Sequence, residues 1–118
     1  MGYRVDISDL ANSDIDGTLT WIKYRSVSAA SRWFNSLLAA IQSLEKMPGR
    51  CPIAPETRSF VIEIRHLIFG SRTLQHRIIF GISIDEQTEE NVVTIYRIRN
   101  SSQHPLSDSQ IFGEYDEE

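Results

Sequence analysis

The alternation over residues 74–84 constrains this chain most. Leu74, His76, Ile78, Phe80, Ile82 and Ile84 share one parity; Gln75, Arg77, Ile79, Gly81 and Ser83 share the other. A period of two reads as a long β-strand with one apolar face. Two more segments read as strands around it. Residues 59–68 place Phe60, Ile62, Ile64 and His66 on one face, and Val61, Glu63, Arg65 and Leu67 on the other. Residues 92–99 place Thr94, Tyr96 and Ile98 opposite Val93, Ile95, Arg97 and Arg99. Gly70-Ser71 and the acidic stretch 85–91 supply the two turns.

The first half has a different period. Residues 3–7 alternate and predict a short strand, after which Ser8 or Asp9 can cap a helix bearing Leu10, Ile15, Leu19 and Ile22 on roughly one face. Gly17 weakens that helix by about 1 kcal/mol. Ser28 caps a second helix, in which Ala30, Trp33, Phe34, Leu37, Leu38, Ile41 and Leu44 follow helical spacing up to Pro48-Gly49. Trp33 and Phe34 are expected in the core; Trp21 and Tyr24 could be core or surface anchors. About three residues join the helices, which predicts an antiparallel helical hairpin. Three prolines in 48–57 predict an extended connector without helix.

The order strand, helix, helix, strand, strand, strand defines an α+β class. The last three strands form an antiparallel meander, with the helical hairpin packed on the apolar face of the sheet. Glu63, Arg65, Arg77, Arg97 and Arg99 then gather on the open face or at its edge. Val93 and Ile95 share the parity of Arg97 and Arg99, so the facing of the last strand stays open.

A chain of 118 residues is one domain and can bury a core without cross-links. A single cysteine, Cys51, excludes an internal disulfide. The N-terminus MGYRVDISDL has no signal-peptide pattern, and no apolar run approaches the ~20 residues of a membrane span. The expectation is a cytoplasmic protein with no membrane partner.

The net charge of −4 argues against nucleic acid only at face value. Residues 107–118 hold five acids and no base, and the other 106 residues carry +1. The expected organisation is therefore a domain over 1–106 and an acidic tail over 107–118. The tail either stays solvated or folds back over the arginine face. Ten of the 12 basic residues are arginine, and no lysine follows residue 50. Arginines on one open sheet face can bind phosphate; the alternative is that they are solvated and pair with nearby carboxylates. His66, His76 and His104 lack metal-ligand spacing, and no phosphate loop, serine elbow or zincin pattern occurs, so no metal or cofactor is called for. His76 lies on the apolar parity of its strand, which predicts a partly buried, hydrogen-bonded histidine.

The order of elements and four segments together resemble the RelE/ParE toxins of bacterial type II toxin–antitoxin pairs. The segments are Ser43–Glu56, Glu63–Gly70, His76–Phe80 and Ile95–Arg99. The resemblance covers roughly residues 3–106. It implies a growth-inhibiting toxin of the kind used in plasmid stabilisation, held by a cognate antitoxin as a hetero-oligomer, with a homodimer left open. It implies one of two activities, endoribonuclease cleavage of mRNA on the ribosome or inhibition of DNA gyrase; a non-catalytic interaction domain of the same fold is the third reading. Cleavage of mRNA is the leading expectation.

For cleavage, the resemblance assigns Arg77 to the phosphate and puts Arg65 near a position that is often basic. Glu56 resembles an acidic connector position. A base is needed to take the proton of the attacking 2′-hydroxyl, and arginine is excluded by its pKa above ~12. Glu56, Glu63 or a histidine would have to serve. Arg97, Arg99 and Asn100 are expected to bind RNA. Asn100 stands where relatives often carry a histidine, and an amide cannot transfer protons. Replacement Arg77→Ala is expected to lower cleavage by orders of magnitude with little loss of stability.

Overall fold

Ser8 ends the first strand and starts the first helix. Its Oγ accepts from Ala11 N at 3.0 Å, which caps the helix, and its hydroxyl donates to the Tyr96 carbonyl at 2.9 Å, which ties the cap to the sheet. A computed structural model describes residues 2–59, 63–102, 105–107, 110 and 111. The elements are β1 (Arg4–Ile7), α1 (Asp9–Arg25), α2 (Val27–Ser43), two 3₁₀ turns (Pro48–Arg50 and Pro55–Ser59), β2 (Arg65–Ser71), β3 (Leu74–Ile84) and β4 (Asn91–Asn100).

Only Ser26 separates the helices. It closes α1 through its N–H to the Ile22 carbonyl, and its side chain caps α2 by accepting from Ala29 N. The cap is therefore Ser26 and not Ser28, and the link is shorter than the expected three residues. Asp9 in the first turn of α1, and Lys23 and Arg25 in its last, match the helix dipole. Ile15 and Ile22 of α1 and Trp33 and Leu37 of α2 are buried against Ile78, Phe80, Val93 and Ile95 of the sheet. Trp21 and Tyr24 are surface residues, with the Arg25 guanidinium 4.5 Å above the Trp21 ring.

The four strands lie in the order β1-β4-β3-β2. β2, β3 and β4 form the expected antiparallel meander, but β1 runs parallel to β4, so the sheet is mixed rather than antiparallel throughout. Two consecutive helices return the chain to the starting end of β1, and a strand that then enters by way of a meander can meet β1 in parallel.

Three local expectations are corrected. The connector is not free of helix: Pro48 and Pro55 each open a 3₁₀ turn, because proline holds the φ that a first helical residue needs. The strand expected over 59–68 starts at Arg65 and continues through Gly70-Ser71, and its turn falls on Arg72-Thr73; residues 60–62 lie outside the described ones. Gly70 has φ 104°, and a Cβ there would come within 2.4 Å of the Leu74 carbonyl oxygen, so the strand end needs glycine.

That register decides which face each side chain takes. Leu67 pairs with Ile78, Phe69 with His76 and Arg65 with Phe80, so these β2 residues face the helices. His66 and Ile68 share the far face with Ile79 and Arg77. Arg65 is therefore not on the face of Arg77.

β4 keeps both parities in the core through a bulge. Ile79 pairs with Arg97 but Phe80 pairs with Ile95, which leaves Tyr96 as the extra residue. Val93, Ile95 and Ile98 all reach the helix-side core as a result. The Tyr96 ring lies over Gly81, where a Cβ would sit 3.1 Å from it.

The far face is not open. Ala54 of the connector, Ile64, Ile79, Leu106 and Ile111 form a second buried cluster there, with Tyr96 packed against it. Among the described residues, no helix is long and apolar enough to cross a membrane.

Candidate functional site

The second cluster surrounds one ion pair. Thr57 exchanges hydrogen bonds with both backbone groups of Ile64, at 2.7 and 2.8 Å, and Ala54 N donates to the Ile64 carbonyl at 2.7 Å. These bonds fasten the Pro55–Ser59 turn beside the sheet and aim Glu56 at β3. Arg77 Nη1 donates to Glu56 Oε1 at 3.0 Å and Nη2 to Oε2 at 2.5 Å. Glu56 is 2% exposed and Arg77 4%. Leu106 N donates to Glu56 Oε2 at 2.9 Å, so the C-terminal segment completes the carboxylate's partners.

Burial alone would push the Glu56 carboxyl up. The Arg77 hydrogen bonds and charge and the Leu106 N–H outweigh it and hold Glu56 below the ordinary carboxylate range. His66 Nδ1 lies 3.2 Å from Arg77 Nη1. A guanidinium can only donate, so Nδ1 accepts and Nε2 carries the proton. Burial first, and the Arg77 charge second, push His66 down and keep the ring neutral, although Glu56 pulls the other way.

The remaining expected residues separate. Arg65 donates to the Cys51 carbonyl at 2.6 Å and to the Gly49 carbonyl at 3.2 Å, and pairs with Glu63 at 3.0 Å. It fastens the first 3₁₀ turn to β2. Neither Arg65 nor Glu63 is a partner of Arg77. Arg97 makes a bidentate pair with Asp14 of α1, at 2.7 and 2.8 Å, and its Nη1 also donates to the Gln110 carbonyl. Asp14 Oδ2 additionally accepts from Ile98 N at 3.0 Å. β1 stops at the level of Ile95, so Asp14 takes over the hydrogen bonding of the β4 edge that β1 leaves. Arg99 is the cross-strand neighbour of Arg77, and its Nε is buried without a hydrogen-bond partner among the described residues. Asn100 Oδ1 accepts from Ser102 N at 2.9 Å and from Ser102 Oγ at 2.6 Å.

The structure thus brings together Arg77, Glu56 and Arg99, with Arg97 at the rim, and sets Arg65 and Glu63 apart. Of two further residues of the site, His66 enters the sequence reading only as one of the histidines that could act as base, and Asp14 does not enter it. The parity of His66 would place it beside Arg77 once the strand register is known; no sequence signal marks Asp14. His76 is hydrogen-bonded as its parity predicts, with Nδ1 accepting from Trp33 Nε1 at 3.2 Å, but at 5% exposed it is buried rather than partly buried. His104 lies outside the described residues, as do residues 112–118 of the tail.

A helical hairpin on a four-stranded mixed sheet is an α+β fold consistent with RelE/ParE-like architecture. Comparison with protein-family models is more specific: residues 5–105 match the family described as ParE toxin of type II toxin-antitoxin system, parDE. The chain belongs to that family and is the toxin component of a type II toxin–antitoxin pair, a class that implies a cognate antitoxin as partner. No curated protein matches the chain significantly.

Proposed function

We propose that this toxin acts by binding a protein target rather than by cutting mRNA, with DNA gyrase the target that the resemblance implies. The observation that carries this reading is the state of Arg77. Phosphoryl cleavage needs the guanidinium in direct contact with the developing phosphorane charge. Arg77 is buried and directs both Nη atoms at a carboxylate that is itself 2% exposed. Glu56 is no better as a base, because its carboxyl is held below the ordinary range and its oxygens are occupied by Arg77 and Leu106 N. Asn100 supplies no proton in place of the histidine common among relatives. A binding-type inhibitor needs none of this chemistry; it needs a rigid scaffold, which the buried pair helps to fix.

Cleavage of mRNA is the second reading, favoured by Arg99 beside Arg77 on neighbouring strands. It requires the C-terminal segment to leave and the Arg77–Glu56 pair to open before RNA can reach Arg77. Purified protein added to DNA gyrase tests the first reading: supercoiling should be lost. Intact supercoiling at toxin excess over gyrase would overturn it.

A further inference from the structure

We infer that Arg99, with the Asn100 amide beside it, is the anchor for a single carboxylate side chain presented by a partner protein. The inference depends on the toxin having a protein partner, which its family implies, and not on gyrase being the target.

Three guanidinium groups converge at the end of β4. Arg77 and Arg99 are paired across β3 and β4, and Arg97 stands two residues before Arg99. Glu56 neutralises Arg77 and Asp14 neutralises Arg97, each through two hydrogen bonds. Among the described residues Arg99 has no such partner, and its buried Nε donates to nothing. A buried donor without an acceptor is costly; Arg99 as a whole is half-buried and lines the cavity beside α1, which is where a partner can reach it. Burial, then the charges of Arg97 and Arg77, disfavour the charged form of Arg99, and Asp14 and Glu56 offset this only in part.

The local charge balance selects the ligand. Among the described residues, three arginines against two carboxylates leave one positive charge, which one carboxylate cancels. A nucleic-acid backbone would bring a series of negative charges against Glu56 and Asp14. Arginine's planar fork also matches a carboxylate in two-point geometry.

The surroundings fit the same ligand. Arg99 and Asn100 both line an open cavity of about 460 Å³ beside α1, with Thr18 and His76 on its walls. Ser102 holds the Asn100 carbonyl oxygen with two donors, which leaves the amide NH₂ to donate elsewhere. His76 adds no competing charge, because burial keeps it neutral and Trp33 occupies its Nδ1. Among the described residues no strand lies beside β4 beyond Ile95; Asp14 of α1 takes the Ile98 N–H there.

The test is an NMR titration of the intact protein that follows the arginine Nε–H signals, with N-acetylglutamate amide, N-acetylglutamine amide and inorganic phosphate as three separate probes. The glutamate probe should move the Arg99 signal and saturate, and the glutamine probe should bind at least about tenfold more weakly. Arg99→Gln should abolish saturation while leaving the melting temperature unchanged or higher, since it removes a half-buried cation that has no carboxylate partner among the described residues. Asn100→Asp, which places a carboxylate at the site itself, should weaken the glutamate probe by about tenfold or more and serves if Arg99→Gln does not fold. Equal responses to glutamate and glutamine, an Arg99 signal that does not move, or tighter binding of phosphate than of glutamate would each overturn the inference.

Discussion

Arg77 and Glu56 meet through two parallel hydrogen bonds of 3.0 and 2.5 Å beneath the C-terminal segment, so the arginine whose strand position suggests availability for chemistry is among the most buried charges described. Removing one partner strands the other. Glu56→Gln or Arg77→Ala should each lower stability by about 3–5 kcal/mol in urea unfolding. This reverses the expectation, drawn from the sequence, that Arg77→Ala is structurally mild. Replacing both by apolar residues, as in Glu56→Leu with Arg77→Met, should recover most of the loss. Recovery will be incomplete, because Leu106 N then loses its acceptor at a cost of about 1–3 kcal/mol.

Acid should destabilise the fold in two stages. His66 and His76 are held below the ordinary histidine value of 6.5, both by burial first, so the folded state favours their neutral form. The unfolded chain takes up those protons first, and stability falls as pH drops through and below 6.5. Glu56 is held below its ordinary value of 4.5. Its contribution is full above that value and is lost as pH falls through the lower, folded-state one. Urea midpoints between pH 8 and 3 should therefore decline in two steps, and Glu56→Gln should reduce the second, to which Asp85 also contributes.

The C-terminal segment should behave as part of the core. Ile111 is 1% exposed and packs in the cluster with Ile79, Ile64 and Leu106. Ile111→Ala should cost about 2–5 kcal/mol, as a large-to-small core change does, by thermal or urea unfolding. A cost near zero would mean that the segment does not stay on this face.

Much of the fold is legible in the order of the amino acids. The alternation of 74–84 identifies the central strand and the face that meets the helices, because Ile78 and Phe80 can be buried only together. The helix pattern through Trp33 and Leu37 identifies the other half of that core. The rest depends on partners far away in the chain. Whether Arg65 or His66 joins Arg77 turns on a register set by the Arg72-Thr73 turn, and a one-residue error moves every side chain to the other face. The parity conflict of Val93 and Ile95 with Ile98 is visible as a pattern, but its solution, a bulge at Tyr96, lies in the pairing with β3. The acidic end of the chain draws attention by its charge, whereas what its described part contributes is apolar: Ile111 in the core, with a backbone carbonyl for Arg97.

Asp14 illustrates the same limit and gives a further prediction. An acid in mid-helix has no marked role in sequence, yet here it binds Arg97 twice and caps the Ile98 N–H. Asp14→Ala should cost about 1.5–3 kcal/mol, the range for hydrogen bonds to a charged group. Asp14→Glu should recover little of it, since a longer side chain cannot keep the three contacts in place. Hydrogen exchange at the Ile98 amide, faster in both variants, would report the loss locally.

The central claim, that the Arg77–Glu56 pair is architecture in a toxin that works by binding, meets its most direct test in cells expressing the protein without antitoxin. Primer extension on ribosome-bound mRNA should be read beside plasmid supercoiling, for the native chain and for the Glu56→Leu, Arg77→Met double variant. The account predicts growth arrest with intact mRNA and relaxed plasmids in both. Codon-linked mRNA cuts by the native chain that vanish in a double variant of native-like stability would contradict it.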